Sequence, residues 1–201
     1  FKVKYAGSYF GILWAFVQPI CTILVFRFVF YYLKSAPVSN VPFSLWLTAG
    51  LVPWVFFSEA WNSATNAFIE YSYLVKKVLF NINILPIARI VSTFFIQVFL
   101  ILFTAILFFL YGYAPAGRWL QLVYYIIYMF VICGGITYFS ASLYVFFKDT
   151  VQIISIILQV VFWITPIVWQ IGIFDERVQA LLEYNPLFYV VRGYRDSFLG
   201  N

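Results

Sequence analysis

The chain has 201 residues, 65% of them hydrophobic and only 9% charged, with a mean hydropathy of +0.96 and a formal net charge of +5. No soluble domain of this length can hide so much apolar surface. A soluble globular protein is therefore excluded, and transport, channel or intramembrane chemistry is what remains.

Residues 90–117 and 119–147 carry no charge and are separated only by Arg118. In an α-helix, at ~1.5 Å per residue, runs of this length cross a hydrocarbon core of roughly 30 Å. The runs are continuous in Leu, Ile, Val and Phe, without the polar/apolar alternation of a membrane strand. The expected fold is all-α: a polytopic transmembrane bundle with spans at 10–33, 43–66, 88–111, 119–146 and 150–171. The first run is too long for a signal-peptide core and the chain opens with Phe1, so a fragment lacking its true start is expected.

Charge placement gives an orientation. Lys2, Lys4, Lys76, Lys77, Arg89 and Lys148 fall at the start, between spans two and three, and between spans four and five, whereas Lys34 and Arg118 occupy the alternate loops. The positive-inside rule puts the N-terminus in the cytoplasm. The tail, 172–201, then lies outside with Arg177, Arg192 and Arg195, which dilute the bias. A sixth span after Asn201 would account for that semi-apolar tail.

Span one opens with Gly7-x-x-x-Gly11 and carries Tyr9, Phe10 and Trp14, whose ring faces suit stacking on sugars or splayed apolar ligands. Arg27 lies about two turns from its outer end, within snorkelling reach of the interface. In span two Glu59, Asn62, Asn66 and Glu70 are spaced i, i+3, i+7, i+11, one polar stripe flanked by Ser63. Such a stripe faces another helix, a water-filled cavity or, near its end, the cytoplasm. Pro53 before it is a candidate kink. The loop 67–86 mixes Glu70, Lys76 and Lys77 with Tyr71, Tyr73, Leu74, Val75, Leu79 and Phe80 and stops at Pro86. That composition fits a short amphipathic helix on the inner face. Cys133, Thr137 and Ala141 align at i+4 steps in span four and permit close helix approach. Span five places Gln152, Ser155 and Gln159 on one face and ends in Thr165-Pro166, where a freed carbonyl needs a partner. The tail reads as two short helices broken at Asn185-Pro186, the second with Arg192 and Arg195 on one side. A re-entrant, lid-like hairpin is expected there.

Enzyme chemistry finds little support. There is no histidine, no phosphate-cradling G-x-x-x-x-G-K-[ST], no G-x-S-x-G elbow and no intramembrane carboxylate dyad. Cys21 and Cys133 lie inside spans and suggest no disulfide framework. No inverted repeat relates the two halves, unlike many secondary transporters.

Several segments together resemble the membrane subunit of ABC-2-type exporters of polysaccharides and polyol phosphates, the group that moves O-antigen, capsule and teichoic acid chains. They are Lys4-Tyr5-Ala6-Gly7-Ser8 with Gly11-Ile12-Leu13-Trp14 and Pro19, then Ala49-Gly50-Leu51-Val52-Pro53-Trp54 and Phe57-Ser58-Glu59-Ala60. Asn62, Ala64-Thr65-Asn66, Leu74-Val75-Lys76-Lys77-Val78 and Ile84-Leu85-Pro86 follow. The likeness resumes at Phe146-Phe147-Lys148-Asp149, Thr165-Pro166-Ile167 and Asn185-Pro186-Leu187, and so runs nearly end to end.

The resemblance implies a single transmembrane domain over 1–201, five spans of six, in a homodimer paired with two copies of a cytoplasmic ATPase. That partner would bind ATP and Mg; this chain would hold no cofactor and no catalytic residue. Residues 70–83, with Glu70, Tyr73, Lys76, Lys77 and Phe80, would form the coupling helix. Residues 174–196, with Asp175, Arg177, Arg192 and Arg195 beside Pro166, would form the outer gate. Tyr9, Phe10, Trp14, Glu59, Asn62, Asn66 and Gln159 would mark the substrate path. The implied cargo is a lipid-linked polysaccharide, O-antigen ahead of teichoic acid or capsule, moved across the cell (inner or plasma) membrane. Membrane lipids are partners and nucleic acid is not. The alternatives are an ABC-2 permease for a small lipid or drug and, more distantly, an intramembrane scaffold or glycan-processing enzyme.

Overall fold

The computed structural model describes residues 13–32, 41–72, 81–113 and 117–200. The described residues form helices α1 (Leu13–Tyr32), α2 (Phe43–Thr65), α3 (Ala67–Glu70), α4 (Ile84–Leu110), α5 (Gln121–Phe146), α6 (Thr150–Ile164), α7 (Glu176–Glu183) and α8 (Pro186–Leu199), with no strand among them. Helices α2, α4 and α5, of 23, 27 and 26 residues, are long and apolar enough to cross a membrane.

Helix α2 is the centre of the bundle and packs against α1, α4, α5, α6 and α8. Helix α4 shows why the bundle belongs in lipid. One face buries Leu85, Ile96, Leu100 and Phe108, and the other exposes Phe95, Leu102, Ile106 and Phe109. Helix α5 likewise buries Met129 and Cys133 and exposes Val131 and Phe139. Outer faces of this size and apolarity rest against hydrocarbon, where only helices that satisfy their own backbones are tolerated. The chain is an all-α polytopic membrane protein.

The small-residue stripe on α5 lies against α2, with Cys133, Thr137 and Ala141 fully buried. Close approach lets Trp61 Nε1 donate to Ser140 Oγ at 3.0 Å and brings Thr65 Oγ1 within 3.0 Å of the same oxygen. Bonds of this kind between membrane helices contribute about 0.6 kcal/mol each on average. Helix α2 runs through Pro53 without interruption.

Three expectations are corrected. Helix α4 starts at Ile84, so Pro86 lies in its first turn, where no intrahelical donor is missed, and Arg89 is a helix residue rather than a loop cation. Helix α6 stops at Ile164 after 15 residues, not near 171, because Thr165 is extended and Pro166 cannot continue the ladder. Arg192 and Arg195 do not share a side: Arg192 is exposed and pairs with Asp196 at 3.7 Å, whereas Arg195 is buried.

Helix α8 is too short to span and yet deeply buried against α2 and α5, with Val190, Tyr194 and Phe198 in the core. Asn185 Oδ1 caps its start by accepting from the Leu187 amide at 3.0 Å, Pro186 occupies its first turn, and Gly200 ends it with φ 76°. Preceding it, α7 exposes Leu181, and Tyr184 just after it is exposed as well. At Gly193, α8 presses so closely on α5 that a Cβ would overlap the Tyr125 ring. Gly193→Ala should therefore destabilise the fold by about 1–3 kcal/mol, the usual range for overpacking. Thermal unfolding in detergent measures this, and an unchanged midpoint would show that the ring turns aside freely.

Candidate functional site

Two clefts run along α2 and meet at Glu59. The first lies among α1, α2, α4 and α6, with a volume of about 420 Å³. Its polar wall is made by Gln18 and Thr22 of α1, Glu59 of α2, Thr93 and Gln97 of α4, and Gln159 of α6. Its apolar wall includes Phe26, Trp54 and Phe162, with Trp54 and Phe162 in ring contact at 5.3 Å. Amide and hydroxyl groups among aromatic faces match the chemistry of a sugar, which has hydroxyls at its rim and C–H groups on its faces. The volume falls within the range of roughly 300–1,000 Å³ usual for small-ligand sites.

The second cleft, also about 420 Å³, is lined by Glu59, Asn62, Ser63, Asn66, Ile69, Glu70 and Arg89. The stripe of span two thus looks across at α4. Arg89 is buried, forms an ion pair with Glu70, and lies over the Tyr71 ring with 4.8 Å between its guanidinium carbon and the ring centre. A buried guanidinium needs such compensation, and the flat ring face supplies part of it. Asn66 is tied back to its own helix by donating to Asn62 O at 2.9 Å.

At the opposite end, Arg195 of α8 donates through Nη1 to Pro166 O at 2.7 Å, through Nη2 to Ile167 O at 2.6 Å and through Nε to Trp46 O at 3.3 Å. Its guanidinium carbon lies 3.4 Å from the centre of the Trp46 ring. The turn after α6 thereby gains the donors that an interrupted backbone requires inside a membrane protein. Asn185 Nδ2 adds a bond to Thr165 Oγ1 at 2.8 Å.

The structure brings Glu59 and Gln159 to the first cleft, Asn62, Asn66 and Glu70 to the second, and Pro166 to Arg195. Trp14 does not line the first cleft but a groove along α1 that adjoins it, sharing Gln18, Thr22 and Phe26. Asp175 and Arg177 are exposed on and before α7, apart from the Arg195 cluster. Tyr9, Phe10, Tyr73, Lys76, Lys77 and Phe80 lie outside the described residues. Arg27, near the Arg195 end, donates to Tyr111 Oη at 3.1 Å. Among the described residues no group of His, Cys, Asp and Glu is placed to hold a metal ion.

Thr93 and Gln97 carried no role in the sequence reading and Arg89 counted there only as a loop cation, although the three stand at i, i+4, i+8 on one face of α4. That spacing in a 27-residue apolar helix is the same signal that marked α2. Tyr194 gave no signal, because its partner Gln97 is 97 residues away in sequence.

Comparison with known proteins accords with this architecture. The O-antigen export system permease protein RfbA of Klebsiella pneumoniae is 26% identical over 199 residues, covering 98% of this chain and 76% of that protein. RfbA of Myxococcus xanthus is 28% identical with the same coverage. The polysialic acid transport protein KpsM of Escherichia coli is 23% identical over 204 residues, covering 98% of this chain and 77% of that one. The ABC-2 type transporter family matches residues 1–199, and with the buried polar clefts of an all-helical membrane bundle now described, the chain belongs to that family.

Proposed function

We propose that this chain is the channel-forming subunit of an ATP-driven exporter that moves a lipid-linked polysaccharide, O-antigen in first place, from the cytoplasm to the outer side of the cell membrane. The observation that carries the reading is the first cleft, where Gln18, Gln97 and Gln159 converge among Trp54, Phe26 and Phe162. Aromatic faces grip sugar rings while letting them slide, and amides exchange hydrogen bonds with successive hydroxyls without selecting one. The names of the similar proteins support a polysaccharide cargo.

The chain supplies a path and not the energy. An ATPase binding ATP and Mg, present in two copies, would dock on the segment that begins at Glu70, and two copies of this chain would face each other. Exposed apolar residues on α1 (Val17, Leu24, Phe28) and α6 (Ile153, Ile156, Val160) offer area for such a pairing. The N-terminus would lie in the cytoplasm of a cell whose inner or plasma membrane holds the complex. The lipid-linked anionic headgroup would enter near Lys4 or Lys76, and ATP binding would control passage of the sugar chain.

Depleting the protein in its native cell tests this. Lipid-linked polymer should accumulate on the cytoplasmic face and surface polymer should disappear. Unchanged surface glycan would overturn the reading and favour a permease for a small lipid or drug. Within the exporter, Glu59→Ala should cut surface polymer several-fold at equal protein level, since Glu59 faces both clefts. Undiminished export would make the α2 stripe a packing feature only.

A further inference from the structure

Gln97 stands in a position that packing alone does not explain. It is 1% exposed, on the α4 face that forms a wall of the first cleft. Its amide nitrogen donates to Tyr194 Oη on α8 at 2.9 Å, and Tyr194 is equally buried. Its other amide atom, Oε1, has no hydrogen-bond partner among the described residues. A buried amide oxygen without a partner is costly, and a donor that enters the adjoining space removes that cost. The groups around it in the cleft are hydroxyl, amide and carboxylate side chains with aromatic rings between them. A polyhydroxylated ring is the ligand chemistry that this combination accepts.

We propose that Gln97 Oε1 is a hydrogen-bonding point for a sugar hydroxyl inside the first cleft, and that the Gln97–Tyr194 bond links occupancy of the cleft to the re-entrant helix α8. This inference rests on the polysaccharide-export reading and adds to it a residue and a route. One amide serves both partners. A hydroxyl donated to Oε1 polarises the amide and strengthens the bond that its N–H group makes to Tyr194, as chained hydrogen bonds reinforce one another. It also fixes the rotamer of Gln97, and with it the register of Tyr194 on α8. The same helix carries Arg195, whose bonds to Pro166 O and Ile167 O hold the end of α6. Occupancy at mid-bundle and the arrangement of the far end are therefore joined through one helix of 14 residues.

The test uses the complex of this chain with its ATPase partner in lipid nanodiscs. The probe is the oligosaccharide repeat released by mild acid from the surface polymer of the producing cell. Binding is measured by calorimetric titration, and ATP hydrolysis is measured with and without the probe. Gln97→Met, close in shape and without an acceptor oxygen, should weaken binding about tenfold, the value of one hydrogen bond lost. Tyr194→Phe should keep affinity within about threefold, because its hydroxyl faces the amide and not the ligand, yet lose the stimulation of hydrolysis by the probe. It also serves where Gln97→Met fails to fold. Wild-type affinity in Gln97→Met, or full stimulation in Tyr194→Phe, overturns the proposal. If the wild-type complex does not bind the probe while depletion still removes surface polymer, the proposal falls and the exporter reading stands. If depletion leaves surface polymer in place, the exporter reading falls, and the two variants still decide whether Gln97 binds the sugar.

Discussion

Arg195→Leu is expected to destabilise the folded protein by about 3–5 kcal/mol and to abolish surface polymer. The side chain is almost fully buried and serves three carbonyls, of Trp46, Pro166 and Ile167. Leucine fills much of the volume but donates nothing. The Pro166 and Ile167 carbonyls lie in a turn, beyond the last bonds of α6, and have no helical donor to fall back on. Arg195→Lys should recover only part of the loss, because an ammonium is a compact point of charge and cannot serve three divergent acceptors while stacking on Trp46. Thermal unfolding in detergent separates the three proteins. Equal midpoints for arginine and leucine would show that water reaches these carbonyls and that the clamp contributes nothing. Gly50 belongs to the same arrangement: a Cβ there would lie 2.5 Å from Arg195 Nη2, so the absence of a side chain is what admits the guanidinium.

The second large effect is an asymmetry. Glu70→Leu should cost about 2–3 kcal/mol, whereas Arg89→Met should cost less than about 1 kcal/mol. The Arg89 side chain is 8% exposed and that of Glu70 36%. Deleting the carboxylate leaves a cation inside the bundle that has lost its ion-pair partner and keeps the Tyr71 ring, while deleting the cation leaves a carboxylate that turns to solvent. The exposure of Glu70 also lets water screen the pair, which keeps the first figure below that of a fully buried ion pair. Parallel unfolding curves for the two variants check the claim, and equal losses would sink it. Export should fall further in Glu70→Leu than its stability loss explains, since the segment proposed to meet the ATPase follows directly.

The long helices α2, α4 and α5 were legible because burial in lipid leaves a coarse mark, long uncharged runs, that survives without any knowledge of packing. Their polar details were legible only where one helix carried the whole pattern. The Glu59, Asn62, Asn66 stripe is readable from α2 alone, and its cleft is there. Arg89 misled because charge counting assigns a cation near a span boundary to the loop, whereas Glu70 and Tyr71 make its burial tolerable in the second turn of α4. Arg192 and Arg195 misled for a related reason. Three residues apart they share a helical side by spacing, but α8 is wedged between α2 and α5, so a small rotation separates core from surface. The gap at Gly193, the acceptors on the α6 turn and the Gln97–Tyr194 bond are properties of pairs distant in sequence, which no local period encodes.

The Arg195 clamp also bears on the order in which the molecule is made. Its bond to Trp46 joins residues 149 apart, and its bonds to Pro166 and Ile167 reach back 29 and 28 residues. In chain order every helix from α1 to α7 precedes this guanidinium. Until then the carbonyls of the α6 turn must take their donors from water. Settling of that turn into its final bonds therefore waits on the docking of α8. Helix α8 acts as a late keystone, and a chain released before Arg195 is translated would carry α1 to α7 and still lack the clamp on the α6 turn.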